Sequence, residues 1–195
     1  MRNSLYIILV ITLLFSGCAS VGVPCTANPE KKLYYAESLF NDLDRPLPAQ
    51  SLIEEAIEMY RKRNDLLGLA IAYQTYGDFL QSPTVGRWSK MDFSDETITH
   101  DNRYRKALEY YEKSLKIAKS IPDHALASSA YFSIGRLQFL HFGNDRESCK
   151  NFSKSIEEHL IFREAHPDES VVLPKGYANF MDYVTAARKQ VGCLK

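Results

Sequence analysis

Ala107-Leu108-Glu109-Tyr110-Tyr111-Glu112-Lys113-Ser114-Leu115 carries its apolar side chains three and four residues apart, with Glu109, Glu112 and Lys113 between them. Extended to Tyr104 on one side and Ala118 on the other, the stripe Tyr104, Ala107, Leu108, Tyr111, Leu115 and Ala118 fits one face of an α-helix. A small residue four positions before an aromatic is a packing device. Ala107 seats a neighbouring helix, and Tyr111 fills the space one turn on.

The same periodicity runs through the chain on both sides. Asn28 with Pro29 at the first helical position opens a helix with Leu33, Ala36, Phe40 and Leu43 on one face, predicted to stop near Asp44, before Pro46 and Pro48. Ser51 and Glu54 have the spacing of a capping box, which predicts a second helix starting there with Leu52, Ala56, Met59 and Tyr60. Asn64 and Asp65 turn the chain into a third, with Leu66, Leu69, Ala70, Tyr73, Tyr76, Gly77 and Leu80. Asp101 is placed to cap the Tyr104 helix. Pro122 and Asp123 start a fifth with Leu126, Ala130, Ile134 and Leu137, Gly143 and Asp145 a sixth with Cys149, Phe152, Ile156 and Leu160, and Pro174 a seventh with Tyr177, Met181, Val184 and Ala187. Period-two alternation is confined to short scraps, so the expectation is an all-α chain of about seven helices.

Composition agrees with one folded unit. The 195 residues are 45% hydrophobic and 25% charged, with 12 Tyr and 10 Phe, which excludes a disordered chain. The 24 basic residues balance the 24 acidic ones, and no basic cluster is interleaved with aromatics, so nucleic acid is excluded as the expected partner.

Two of the helices carry a large residue before a mid-helix glycine, Tyr76-Gly77 and Ile134-Gly135, with Ala70 and Tyr73 echoed by Ala127, Ala130 and Tyr131. Glycine costs about 1 kcal/mol in a helix relative to alanine, so something must pack closely there. Segments with Ala or Ser four residues before an aromatic follow the opposite rule: Ala56 and Tyr60, Ala107 and Tyr111, Ser148 and Phe152. Together these alternating patterns, over 51–160, resemble tetratricopeptide repeats, with large-Gly in helix A and Ala-aromatic in helix B. The family's helix A tryptophan is missing, Gln138 stands at its helix A tyrosine and Ser148 at its small alanine. The resemblance implies an antiparallel helix-pair superhelix, an αα-solenoid over 29–195, whose concave face holds an extended peptide or a partner helix. Carried onto this chain, the helix A groove positions are Gln74, Asp78 and Gln81 in one repeat and Phe132, Arg136 and Phe139 in the next. Phe132 and Phe139 lie off the Ile134 stripe. They are a contact surface if that face meets solvent, and packing if the helix is buried on two sides.

Gly77 and Ala107 lie much farther apart than that pattern allows, which sets an insertion at 81–100 with Pro83, Gly86, Arg87, the single Trp88, Met91, Phe93, Asp95, Glu96 and His100. Structureless loops of this length are uncommon in compact domains. Trp88 beside Arg87 reads either as a partner anchor or lid over the groove, or, with Phe93, as a cover folded back on the helix pair.

The beginning of the chain supplies an address. Arg2 and Asn3 precede an apolar run from Leu5 to Phe15, then Ser16, Gly17 and Cys18, the order of an export signal and too short for a membrane span. Phe15-Ser16-Gly17-Cys18 resembles the lipobox of bacterial lipoproteins. The resemblance implies removal of 1–17, acylation of Cys18, a tether over 18–28 and anchorage in a bilayer. Ala19, where an Asp would hold such a protein at the inner membrane, implies the outer membrane, facing the periplasm, if the source is Gram-negative. In that oxidising compartment Cys25, Cys149 and Cys193 remain. Cys149 and Cys193 fall in or next to helices and are the first candidate pair, the alternative being a buried free Cys149.

Motifs for chemistry are sparse. His100, His124, His141, His159 and His166 include no pair three or four apart, and no nucleophile elbow, P-loop or dinucleotide fingerprint occurs, so no metal, cofactor or catalytic residue is assigned. The expectation is a lipid-anchored, non-enzymatic envelope module, an adaptor or assembly factor that binds another envelope protein or peptide in its groove. An immunity lipoprotein that binds a delivered toxin fits the same features, and a cell-wall-active enzyme is the competing class, marked by a carboxylate pair converging on an open pocket.

Overall fold

The computed structural model describes residues 26–88, 92–169, 173 and 175–193, so residues 1–17 and the cysteines Cys18 and Cys25 lie outside the described residues. Every regular element among the described residues is helical. In chain order they are α1 (Pro29–Asn41), α2 (Pro46–Arg63), α3 (Leu66–Gln81), α4 (Pro83–Arg87), α5 (Arg103–Ser120), α6 (His124–Phe142), α7 (Asp145–Ala165) and α8 (Phe180–Val191). Seven are long and α4 is little more than a turn.

Local chemistry explains most boundaries. The Asn28 side chain accepts from the amides of Glu30 and Lys31, with Pro29 at the first helical position. Asp65 caps α3 through the amide of Gly68, Asp123 caps α6 through Leu126, and Asn144 caps α7 through Glu147. Asn64 and Gly143 end α2 and α6 in the left-handed region, at φ 52° and 59°.

Three boundaries differ from the expectation. The second helix begins at Pro46 rather than at Ser51, because Pro46 and Pro48 sit in a first turn whose N–H groups need no helical partner. Ser51 is therefore inside the helix, and its hydroxyl donates back to the Leu47 carbonyl at 3.3 Å. Asn102, not Asp101, precedes α5, its side chain tied into the loop through the Thr99 amide and the Thr97 carbonyl. The last helix starts after Asn179, which caps it through the Asp182 amide, and leaves Tyr177 outside.

The long helices pack mainly on their neighbours in chain order, α1 on α2, α2 on α3, α3 on α5, α5 on α6 and α6 on α7, while α8 lies against α7 and α6. Antiparallel pairing follows from cross-links at several levels. Gln50 of α2 donates to the Tyr76 hydroxyl of α3 near one end, and Tyr60 lies against Gly68 near the other. On the pair α6 and α7, His124 meets Glu158, Ser128 and Ser155 exchange hydroxyl-to-carbonyl bonds at 2.8 Å, and Ser148 donates to the Gly135 carbonyl at 2.7 Å.

The mid-helix glycines mark the closest approaches. A methyl group built on Gly77 would come within 2.6 Å of the Tyr111 ring, and one on Gly135 within 2.9 Å of Phe152. Tyr111 and Phe152 are among the largest fully buried side chains. One apolar cluster runs from α1 to α5 and takes Ile134 and Leu137 from α6. A second, smaller one joins α6, α7 and α8 around Phe132, Phe152, Val184 and Val191. The disulfide between Cys149 and Cys193 ties the first turns of α7 to the end of α8, closing a loop of 44 residues.

Within the insertion, Val85, Phe93 and Ile98 are buried in the larger cluster. The Arg87 guanidinium pairs with Asp44 at 2.6 Å and ties α4 to the α1–α2 turn.

Candidate functional site

One face of α1, α3 and α6 forms a continuous floor. Thr75 of α3 donates to Glu37 of α1 at 3.3 Å, and Gln74 of α3 donates to the Ser129 hydroxyl of α6. The three helices run parallel because each is separated from the next by an antiparallel partner, so equivalent turns stand side by side. Toward their C-terminal ends the floor opens into a cavity of about 610 Å³, whose walls include Glu37, Asp78, Gln81, Arg103, Arg136 and His141. A second cavity of about 430 Å³ continues it between α3, α6 and α8, past Gln74, Ser129 and Tyr183. A third, of about 200 Å³, opens beside Phe139 and Tyr177. Arg136 borders all three.

The polar groups in the main cavity are held unequally. Tyr111 donates to Asp78 Oδ1 at 2.6 Å, and Gln81 Nε2 donates to the same oxygen at 3.2 Å and to the Tyr111 hydroxyl. Burial raises the Asp78 pKa against the opposing pull of Tyr111, Gln81 and the Arg136 charge. Glu37 stays open along one edge, yet the crowded wall desolvates its carboxyl and raises its pKa, with Asp78 adding to the rise. Tyr111 is pushed well above the usual tyrosine range by burial and by the Asp78 charge.

Arg103 is nine-tenths buried and has a structural task, since Nη1 donates to the carbonyls of Leu80 and Ser82 at 3.1 and 3.4 Å and so closes the C-terminus of α3. Its other nitrogen donates to the Tyr104 hydroxyl. His141 stacks on Tyr104 with ring centroids 3.6 Å apart, and burial, with Arg103 and Arg136 nearby, lowers its pKa. Arg136 differs from Arg103. It is exposed and forms no ion pair among the described residues.

The structure divides the groove positions read from the sequence. Gln74, Asp78, Gln81 and Arg136 come together on the floor. Phe132 is corrected to a core residue: it is 7% exposed and packs on Phe152, Phe180 and Tyr183, because α8 covers the face that periodicity left open. Phe139 is partly buried against the same cluster. Trp88 is 41% exposed and borders none of the cavities described above, so the insertion contributes Ser82 and Pro83 to the rim and not its tryptophan.

Glu37, Arg103, Tyr104 and His141 were not legible as site residues. Tyr104 was read as part of the apolar stripe of its helix, and for Glu37, Arg103 and His141 the one signal was their position beside the stripes.

Among the described residues no group of three or more His, Cys, Asp or Glu side chains is placed to hold a metal ion, and no helix is long and apolar enough to cross a membrane. The chain matches no protein-family model and no curated protein.

Proposed function

We propose that the chain is a lipid-anchored envelope protein whose α1–α3–α6 groove, built on tetratricopeptide-like helix pairs, receives a segment of another envelope protein. The observation that carries this is the convergence of Gln74, Asp78, Gln81 and Arg136 on one open floor, with the Arg136 guanidinium exposed and unpaired among the described residues. An exposed arginine beside half-buried amides and an aromatic stack is the kind of centre on which binding energy concentrates. The acylated Cys18 holds this groove at a membrane surface, within reach of membrane-bound partners.

The test is capture from detergent-solubilised envelope with the lipidated protein, its Arg136→Ala form and a Cys18→Ala form, with mass spectrometry of the eluate and of the mature N-terminus. The expected result is an acylated Cys18 and a defined partner lost on Arg136→Ala, at an unchanged melting temperature. An unmodified N-terminus removes the anchor. Equal capture by Arg136→Ala removes the groove.

Glu37 and Asp78, two carboxyls on one open cavity with Glu37 inclined to keep its proton, favour a second reading as a glycan-cleaving acid pair. Hydrolysis of cell-wall glycan that disappears with Glu37→Gln would establish it. Asp78, already engaged by Tyr111 and Gln81, is better explained as the tie between α3 and α5.

A further inference from the structure

The chain leaves the helical body at a definite place. The carbonyl of Ala27 accepts from Arg63 Nη2 at 3.2 Å, which pins the segment before α1 beside the turn between α2 and α3. Immediately next to it, in the first turn of α3, Leu66 and Leu67 are 47% and 44% exposed. Two adjacent leucines left in water at a helix start are not required by the fold, since Asp65 caps the helix and Ala70, Tyr73 and Tyr76 supply the buried face.

Basic side chains end three helices at the same edge, beside the cap carboxylates of Asp65 and Asp123 and with Arg61 paired to Glu58. Helices α2, α5 and α7 run toward it, and their last turns carry Arg61, Lys62 and Arg63, then Lys119, then Arg163. Helices α1, α3 and α6 run the other way, and none of them ends in lysine or arginine, while α8, whose end is tied by the disulfide to the start of α7 at the far edge, carries Arg188 and Lys189 there. That the edges correspond follows from the cross-links, Gln74 to Ser129 between α3 and α6 and His124 to Glu158 between α6 and α7.

We infer that this edge, with Leu66 and Leu67 at its centre and Lys62 and Arg63 beside them, rests on an anionic lipid bilayer. The inference depends on acylation of Cys18 as proposed above. Seven residues lie between Cys18 and Thr26, eight steps with a reach of at most about 28 Å, so the exit edge is the part of the body nearest the anchor. Apolar side chains beside basic ones suit the interface, where the former enter the acyl boundary and the latter meet anionic headgroups. With this edge down, the open end of the groove, at the far ends of α3 and α6, faces away from the membrane.

Trp88, the single tryptophan, sits beyond the far end of α3, which from Leu67 to Gln81 spans about 21 Å. It is a built-in reporter of the distal edge. The experiment uses the full-length lipidated protein in vesicles of phosphatidylethanolamine and phosphatidylglycerol with brominated acyl chains. The parent is compared with a Trp88→Phe, Leu67→Trp form, each checked for helicity.

Faces of this kind sit about 5–10 Å into the headgroup–acyl boundary, so the tryptophan at 67 should shift to the blue and lose about half its emission, while Trp88 keeps its own. In vesicles of brominated phosphatidylcholine alone, quenching at 67 should fall. Co-flotation with quenching at 67 no greater than at 88 overturns the inference and leaves the anchor standing; such an edge would be free for a protein. Failure to float with the vesicles overturns the anchor and this inference together. Undiminished quenching in the neutral lipid overturns the role assigned to Lys62 and Arg63.

Discussion

Gly77→Ala should destabilise the protein although it exchanges a poor helix former for the best one. On propensity alone the change stabilises by about 1 kcal/mol. The added methyl, however, would stand 2.6 Å from Tyr111 Cε1 and 2.9 Å from Cδ1 and Cζ, where carbon atoms prefer about 3.5–4.0 Å. The ring must retreat by about 1 Å, and it has nowhere to go. Tyr111 is fully buried, and its hydroxyl is fixed between Asp78 and Gln81. Overpacking of this kind costs about 1–3 kcal/mol, and the confined ring puts Gly77→Ala at the upper end. Subtracting the propensity gain leaves a net loss of about 2 kcal/mol, or about 4–8 °C in melting temperature for a domain of this size.

Thermal and urea unfolding followed by circular dichroism, with the disulfide intact, measures it. A double-mutant cycle isolates the cause. In a Tyr111→Leu background, itself destabilised, the ring carbons are gone, and Gly77→Ala should there be neutral or stabilising, a coupling of about 2 kcal/mol. If Gly77→Ala melts at or above the parent, or costs the same in both backgrounds, the close approach of α3 and α5 does not limit this core.

Phe132→Ala should cost about 3–5 kcal/mol by opening a cavity against Phe152, Phe180 and Tyr183, and a melting temperature close to the parent's would return Phe132 to the surface. Closing a 44-residue loop removes about 4 kcal/mol of chain entropy from the unfolded state, so Cys193→Ser should lower stability by up to that amount. Hydrogen exchange should show the loss first in α8, whose remaining hold is the small second cluster; α8 amides protected as well as those of α6 in that variant would contradict this. Burial raises the folded pKa of Asp78 above the ordinary aspartate value, so as pH rises from that ordinary value toward the raised one the unfolded chain releases this proton before the folded one does, and stability falls through that interval. Asp78→Asn keeps an acceptor for Tyr111 and loses the penalty; its stability relative to the parent should improve from acid to neutral pH, and a constant difference would refute the assignment.

The helices and their class were written in the sequence because they depend on interactions within a few residues. Apolar spacing of three and four, Asn28 with Pro29, and Asp65 and Asp123 before their helices act through local hydrogen bonds and one-sided burial. The glycines at 77 and 135 announced close approaches, since a helix carries such a residue at a cost. The start of α2 was misplaced because two signals compete within one turn, a capping-box spacing at Ser51 and prolines that fit the first helical positions at 46 and 48. In the groove, Gln74, Asp78, Gln81 and Arg136 were named only by carrying the helix A positions of the resembling repeat family onto this chain.

Tertiary structure decided which of two exposed-looking faces was truly open. Phe132 and Arg136 are four residues apart on α6, yet α8, more than 40 residues later in the chain, covers the first and leaves the second in water. It also decided that Glu37 and Asp78 share a cavity, that Arg103 closes α3, and that Leu66 and Leu67 lie where the chain leaves the body. Those facts depend on contacts between residues far apart in the chain. Local sequence sets the direction of a side chain on its own helix, while the partner it meets is set by how the helices stack.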